Sequence, residues 1–241
     1  TIKCLAFDLD GTLLLDDSKR MDPRTVDSIQ RAMEQGVHIV IASGRDKNGC
    51  KFVYEPLGLE NGNHFLALVN GQVVYDFENK EYDLDDVLTA EDGVKIQKVC
   101  KQFGVEGIFQ CGYDFYSYIS SLNRVKKKVK NAILGEPDDY GLKDGRENRN
   151  FIDLPFEEIR LTQDINKVNF DGIKAALSDY DVLLVGPDWL EIMPKHVSKA
   201  SALWKICDKL GISVNEVMAF GDAQNDWKML QQVGIGVAMG N

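Results

Sequence analysis

Residues Ile2 to Leu15, IKCLAFDLDGTLLL, constrain this chain more than any other stretch. Ile2, Cys4, Leu5, Ala6 and Phe7 form a short, near-continuous apolar run. Such a run suits a strand buried on both faces, as in a parallel sheet. Two carboxylates, Asp8 and Asp10, close it, and Gly11-Thr12 follows. Side chains two apart on a strand share a face, so a strand reaching this far projects both acids from its carboxyl end into one space. Two acids placed there repel each other and lose hydration, and the usual partner that offsets both costs is a bound cation. Gly11 permits a sharp backbone turn, and the Thr12 hydroxyl can bond within it. Asp-x-Asp-Gly also occurs in polar turns and calcium loops. A calcium loop needs more oxygen ligands and a closing acid downstream. Leu13, Leu14 and Leu15 stand there instead, which favours a strand-to-turn site.

The same rhythm recurs along the chain. Asp22-Pro23 reads as a cap followed by proline at the first helical position. Val26, Ile29 and Met33 keep helical spacing, and Gly36 closes the helix. Val37 to Ala42, VHIVIA, is a second buried strand that ends in Ser43-Gly44-Arg45. Strand, polar cluster, helix, strand, polar cluster is the order of a parallel α/β sheet, whose ligands gather at the strands' carboxyl ends. Phe65 to Val69 is a third strand. Asn70-Gly71 before Val73 signals a hairpin, with Asn70 a turn residue or, as the second reading, a ligand contact.

Towards the other end, Trp189 to Met193 is strand-like and leads to Ser198, a plausible N-cap. Ala200, Leu203, Trp204 and Cys207 make a buried helical stripe that Gly211 ends. Lys199 falls in the first turn, where its charge opposes the helix dipole; it is either a solvated lysine or one facing an anion. Val217 to Phe220 is a last strong buried strand, followed by Gly221-Asp222-Ala223-Gln224-Asn225-Asp226 where a helix begins. Taken singly, Asp222 and Asp226 read as helix caps.

Between these regions the character changes. Thr89 and Asp92 have capping-box spacing, Ile96, Val99, Cys100 and Phe103 mark a helical face, and Val105–Phe109 and Phe115–Ile119 are strand candidates. RVKKKVK, residues 124–130, is a solvated face or an anion-contacting one, and residues 135–150 read as a loop. Residues 168–170, 172–177 and 182–185 read as strand, helix, strand. The expectation is an α+β unit inserted at residues 82–188 into a sheet protein formed by 1–81 and 189–241. The net charge of −10 disfavours nucleic acid as a partner. Five scattered cysteines, with no C-x-x-C pair, fit a reducing compartment. No apolar stretch approaches membrane-spanning length, so a cytoplasmic protein, monomeric or weakly dimeric, is expected.

FDLDGTLL, IVIASGR, NGQVVY, EIMPKHVSKASAL and GDAQNDWKML with GVAMGN together resemble the haloacid dehalogenase-like phosphotransferases, most closely the Cof-type sugar-phosphate phosphatases. The resemblance covers both ends of the chain well and its middle loosely. It implies a Rossmann-like parallel-sheet core with an inserted α+β cap. It implies Asp8 as the nucleophile that forms an aspartyl-phosphate, and Asp10 as the acid that protonates the leaving alkoxide and then activates water. It implies Ser43 and Lys199 as holders of the phosphoryl oxygens, helped by the Leu9 and Gly44 backbones. Asp8, Asp222 and the backbone carbonyl of Asp10 would bind Mg²⁺. Asn225 would contact phosphate or order the metal loop, Asp226 would position Lys199 or a metal-bound water, and Thr12 would support the turn. The substrate would be a small phosphorylated metabolite. Members of the family continue past such an ending with another helix and strand, so a longer parent chain is expected.

The physics agrees with these roles. Two unit charges ~4 Å apart at an effective dielectric near 20 repel by about 4 kcal/mol. A divalent cation and an ammonium reverse that sign. Neighbouring carboxylates are expected to hold the Asp10 pKa up, as an acid requires. A phosphomutase or phosphoryl carrier of the same fold is an alternative, as is a non-catalytic phosphate-binding regulator. A P-type ATPase domain has threonine where Asp10 stands and needs membrane helices.

Overall fold

The computed structural model describes residues 1–14, 20–84, 86–111, 114–117, 143–144, 158–162, 169–186 and 189–241. They form two compact units, residues 1–86 with 196–241, and residues 87–195.

In chain order, the first unit begins with β1 (Cys4–Phe7), α1 (Pro23–Glu34), β2 (His38–Ala42), α2 (Lys51–Leu57), β3 (Phe65–Leu68), β4 (Val73–Asp76) and β5 (Glu81–Asp83). The second unit holds α3 (Ala90–Phe103), β6 (Glu106–Cys111), β7 (Asp114–Ser117), β8 (Lys143–Asp144), β9 (Glu158–Thr162), α4 (Phe170–Ala176), β10 (Tyr180–Gly186) and β11 (Trp189–Pro194). The chain then completes the first unit with α5 (Lys199–Leu210), β12 (Val217–Gly221), α6 (Trp227–Gln232) and β13 (Ile235–Ala238).

The first sheet has the order β13-β12-β1-β2-β3-β4-β5. β13, β12, β1, β2 and β3 run parallel, and β4 and β5 turn back antiparallel. β1 lies inside the sheet, which explains its apolar run: Cys4 and Ala6 are fully buried, as are Ile39 to Ala42 on β2. Cys4, Ala6, Val40 and Ala219 pack against Ala202, Leu203 and Ile206 of α5. Trp204, expected in that buried stripe, is instead 43% exposed, so the stripe runs through Ala202, Leu203 and Ile206. The helix ends follow their caps. The Asp22 carboxylate accepts from the Arg24 N–H, with Pro23 in the first turn. The Ser201 hydroxyl accepts from the Ser198 N–H, and Gly211, at φ 63°, closes α5.

The second sheet has the order β10-β11-β9-β6-β7-β8, antiparallel except between β7 and β8. Its core contains Ile96 and Cys100 of α3, Phe109, Ile173, Leu190 and Ile192. The Thr89–Asp92 capping box is formed in both directions. Trp189–Pro194, expected in the first sheet, pairs with β10 and β9 and belongs to the second. Its mostly apolar run fits either sheet, and only its pairing partners assign it. The chain therefore returns to the first unit at His196, and the first crossing lies near Asp86 rather than at 81. Phe170, read as the end of a strand, begins α4, because the Asn169 side chain caps it by accepting from the Gly172 N–H. The basic run 124–130 and most of the 135–150 loop lie outside the described residues. Among the described residues, no helix is long and apolar enough to cross a membrane.

The expected hairpin is formed by β3 and β4, with Leu68 opposite Val73. Its connection is four residues rather than a two-residue turn. Val69, Asn70 and Gly71 all have positive φ, at 49°, 55° and 99°. A β carbon on Gly71 would lie 2.1 Å from the Ser198 carbonyl oxygen, so this turn packs directly on the start of α5. Close approach of that kind, on a left-handed backbone, requires glycine.

His64, just before β3, is buried, and its Nδ1 accepts the Ile39 N–H at 3.0 Å. Burial, with His38 adding to it, pushes its pKa down to about 4. The unfolded chain therefore binds this proton more readily, and the stability tied to neutral His64 is complete above about pH 6.5 and lost as pH falls through about 4. Asp8, raised to about 6, acts in the opposite direction over the same window. His64→Asn keeps an acceptor and leaves Asp8 untouched, so the difference between the two proteins isolates His64. Wild type should lose about 2 kcal/mol relative to His64→Asn between pH 7 and pH 4.5, measured by chemical denaturation.

Candidate active site

Parallel strands place their carboxyl ends along one sheet edge, and the acids sit there. β1 and β12 pair in register, Phe7 opposite Phe220, with the two rings stacked 4.9 Å apart. The Asp8 N–H continues the ladder to the Phe220 carbonyl at 3.0 Å. Asp8 thus stands opposite Gly221, and Asp222 follows that glycine at the end of the adjacent strand. β2 flanks β1 on the other side, and Ser43 follows its last residue.

The centre of the site is a fully buried lysine. Lys199, 1% exposed, donates from Nζ to Asp8 Oδ1 and, at 2.7 Å, to Asp226 Oδ1. Capping by Ser198 and the packing of α5 deliver its side chain to this point. The solvated-lysine reading is therefore replaced by the ion-paired one. Asp226 is fully buried, and its Oδ2 accepts the N–H groups of Asp222 and Ala223 at 3.1 Å each. It both pairs Lys199 and fixes the loop that carries Asp222. Burial pushes the Asp8 pKa up to about 6 against the opposing pull of the Lys199 ammonium; Asp226 pushes it further up, and the Leu9 N–H bond lowers it.

Among the described residues, the Thr12 hydroxyl reaches beyond its own turn. It donates to Asp222 Oδ1 at 2.7 Å, across 210 residues of sequence. Gly11, at φ 82°, permits this approach, since a β carbon there would lie 2.5 Å from Asp222 Oδ2. Among the described residues, Asp8, Asp222 and Asp226 form a group of acids whose ligand atoms lie within 4.8 Å of one another. The oxygens of Asp226 are already engaged, so Asp8 and Asp222 are the members suited to a hard cation, which takes oxygen donors and completes its shell with water.

Asp10 has a different environment from Asp8. β1 ends at Phe7 and the chain passes into a wide turn over Leu9–Leu13, so the two acids do not share a strand face. The Asp10 carboxylate is 59% exposed and takes a two-pronged bond from Arg45, Nε at 2.8 Å and Nη2 at 2.7 Å. Arg45 holds the Asp10 pKa below the usual carboxylate range, mainly through that hydrogen bond. The expected upward push from neighbouring carboxylates is thus reversed, because the side chain meets a guanidinium instead. Arg45 is the residue that sequence reasoning passed over. Its signal was a cation two residues past Ser43, in the loop that follows the strand beside β1.

The remaining residues are linked through one turn. Ser43 is buried and its hydroxyl accepts the Arg45 N–H at 3.1 Å. Asn225 donates from Nδ2 to Asn70 Oδ1 at 3.0 Å, and the Asn70 carboxamide lies against Gly44. Leu9 is fully buried beside Asp8.

Residues 5–241 match the model of the haloacid dehalogenase-like hydrolases. The chain belongs to this family. It is 31% identical over its full length, and over 88% of the relative, to a protein of Streptococcus pyogenes named as a candidate phosphatase. It is 28% identical, over its full length and 84% of the relative, to a 5-amino-6-(5-phospho-D-ribitylamino)uracil phosphatase of Bacillus subtilis. Among solved structures, a haloacid dehalogenase-like hydrolase of Bacteroides thetaiotaomicron superposes with a TM-score of 0.76 at 26% identity, over all of this chain and 89% of that one. The fold is that of the family, an α/β sheet protein with a second α/β unit inserted between its strands.

Removing one member of a buried ion pair leaves an uncompensated charge, at a cost of about 3–5 kcal/mol. Lys199→Met should lower the unfolding free energy by about that amount at pH 7. Replacing Lys95, whose Glu91 partner is solvated, should change it by under about 0.5 kcal/mol. Denaturation curves of both variants check the contrast.

Proposed function

We propose that the protein is a Mg²⁺-dependent phosphatase of small phosphorylated metabolites, sugar phosphates among them, working through an aspartyl-phosphate on Asp8. Family membership makes it an enzyme, and its relatives include named phosphatases, so hydrolysis of phosphoric monoesters is its reaction class. The observation that carries the finer reading is Lys199 buried between Asp8 and Asp226, with Asp222 beside them. Three carboxylates against one ammonium leave two negative charges in excess, which a divalent cation matches. Asp8, Asp222 and the Asp10 backbone carbonyl would hold it. When bound, the ion offsets the repulsion between the carboxylates and the phosphate and stabilises charge on the transferred group.

In the first step a carboxylate oxygen of Asp8 attacks phosphorus in line, the bond to the leaving oxygen breaks, and the alkoxide takes a proton from Asp10. In the second, Asp10 accepts a proton from water, the hydroxide attacks phosphorus, and the bond to Asp8 breaks, restoring its carboxylate. Lys199 neutralises Asp8 as the phosphate approaches. Ser43, the Leu9 and Gly44 backbones and Asn225 receive the phosphoryl oxygens. In the arrangement described, Arg45 keeps Asp10 ionised, the form the second step requires; moving off Arg45 favours the protonated form the first step requires. A cytoplasmic location fits the buried free thiols of Cys4, Cys50, Cys100 and Cys207.

A panel of phosphorylated sugars and cofactors, assayed for free phosphate, should identify substrates hydrolysed only with Mg²⁺. EDTA should stop the reaction and added magnesium restore it. Asp8→Asn should remove turnover while the protein stays folded. Phosphate release from no compound, or transfer of the phosphoryl group to a second metabolite in place of water, would count against the proposal.

A further inference from the structure

We propose that Asn70 is a positioning residue of the phosphate site, whose buried carboxamide ties the Ser43–Arg45 loop to Asn225 and sets the direction of the Asn225 side chain. The inference rests on the phosphatase reading given above. By its sequence context, Asn-Gly between two strands, Asn70 looks like a turn former. Its surroundings ask for more than a turn. It is 6% exposed, at the tip of a hairpin where a turn residue ordinarily meets solvent. Its Oδ1 accepts from Asn225 Nδ2 at 3.0 Å, joining parts of the chain 155 residues apart. Its N–H bonds the Ser43 carbonyl at 3.0 Å. A β carbon on Gly44 would stand 3.3 Å from Asn70 Nδ2 and 3.4 Å from Oδ1, so the glycine after Ser43 leaves room for this carboxamide.

The backbone is strained to achieve this. Val69 precedes Asn70 at φ 49°, and its N–H bonds the Arg45 carbonyl at 3.1 Å. A β-branched residue in the left-handed region is costly, and such strain persists where the surrounding structure over-determines it. Two N–H bonds, one to Ser43 and one to Arg45, hold the turn on the loop that follows β2. Asn225 is exposed, and Asn70 is the partner that fixes its carboxamide at a definite place. A ligand contact held in place by one side-chain bond loses its aim when that bond is lost, and small misplacements at a reacting centre are expensive.

Glycine separates the two roles, because it accepts φ 55° at least as well as asparagine does and removes only the carboxamide. Asn70→Gly should keep its melting temperature within a few degrees of wild type. It should lower kcat/KM about tenfold and raise the inhibition constant for inorganic phosphate in step, as expected for a lost hydrogen bond and a loosened contact. In an Asn225→Ala background the same change should cost under about twofold, because the two residues act as one unit. Full activity in Asn70→Gly, or an undiminished loss in the Asn225→Ala background, would overturn the inference. A second measurement needs only folded wild type: an Asn225 side-chain amide proton should exchange with solvent more slowly than a free carboxamide proton, and exchange at the free rate would also overturn it. Wild type serves as the control for the underlying reading. An inactive wild type removes the phosphatase proposal, whereas an active wild type with an unaffected Asn70→Gly removes only this one.

Discussion

The pairing of one buried ammonium with two buried carboxylates organises this protein. Lys199 could not enter the interior unpaired, since a lone charge there would shed its proton or unfold its surroundings. Asp8 and Asp226 would repel each other without it. Each of the three elements that supply them, β1, α5 and the turn after β12, is therefore held to the others by charge as well as by packing. Pairs of this kind contribute little net stability compared with a well-packed apolar core. What this one secures is geometry: the carboxyl ends of β1 and β12 and the start of α5 converge within hydrogen-bonding distance.

The supporting shell follows from that requirement. Once Asp226 is committed to Lys199 through one oxygen, its other oxygen orders the Asp222 and Ala223 N–H groups and so aims Asp222. Thr12 reaches the same carboxylate from the far side, and Gly11 makes room for it. The glycines at 11, 71 and 221 serve one purpose, close approach: a β carbon at any of them would collide with Asp222, Ser198 or Asp226. The small residues around the acids are as necessary to the site as the acids.

Much of this was legible in the sequence, and for physical reasons. Buried parallel strands are apolar throughout, so an acid at the end of one has little structural reason to be there, and Asp8 stood out; Asp222, which alone reads as a helix cap, joined it through the resemblance of the whole motif set. The order of strands and helices then put them on one edge. What stayed hidden was set by long-range contact. β11 has a pattern that suits either sheet, and nothing local says that its partners are β9 and β10. Thr12 bonds across 210 residues, whereas its sequence context suggested a bond within its own turn. Asn70 has the sequence of an ordinary hairpin, and its burial comes from packing of the turn on α5. Arg45 was read as the tail of a motif, because its partner is chosen by where the chain turns after β1.

That turn also explains how two acids only two residues apart come to differ. Continued as a strand, the chain would have given Asp8 and Asp10 a common face and a common environment. Ending β1 at Phe7 sends Asp8 inward, where burial raises its pKa, and leaves Asp10 outward, where Arg45 lowers it. Pairs of titratable groups whose surroundings push them apart can divide acid and base work between them. Here the burial of Asp8 is opposed by a fixed ammonium that cannot leave the interior, whereas Asp10 is held by a guanidinium one-third exposed, free to exchange its partner for another anion. On the proposed mechanism, this would lock the nucleophile in place and tether the proton carrier reversibly, the division expected of a site where one group must stay aligned with phosphorus while the other must serve two steps.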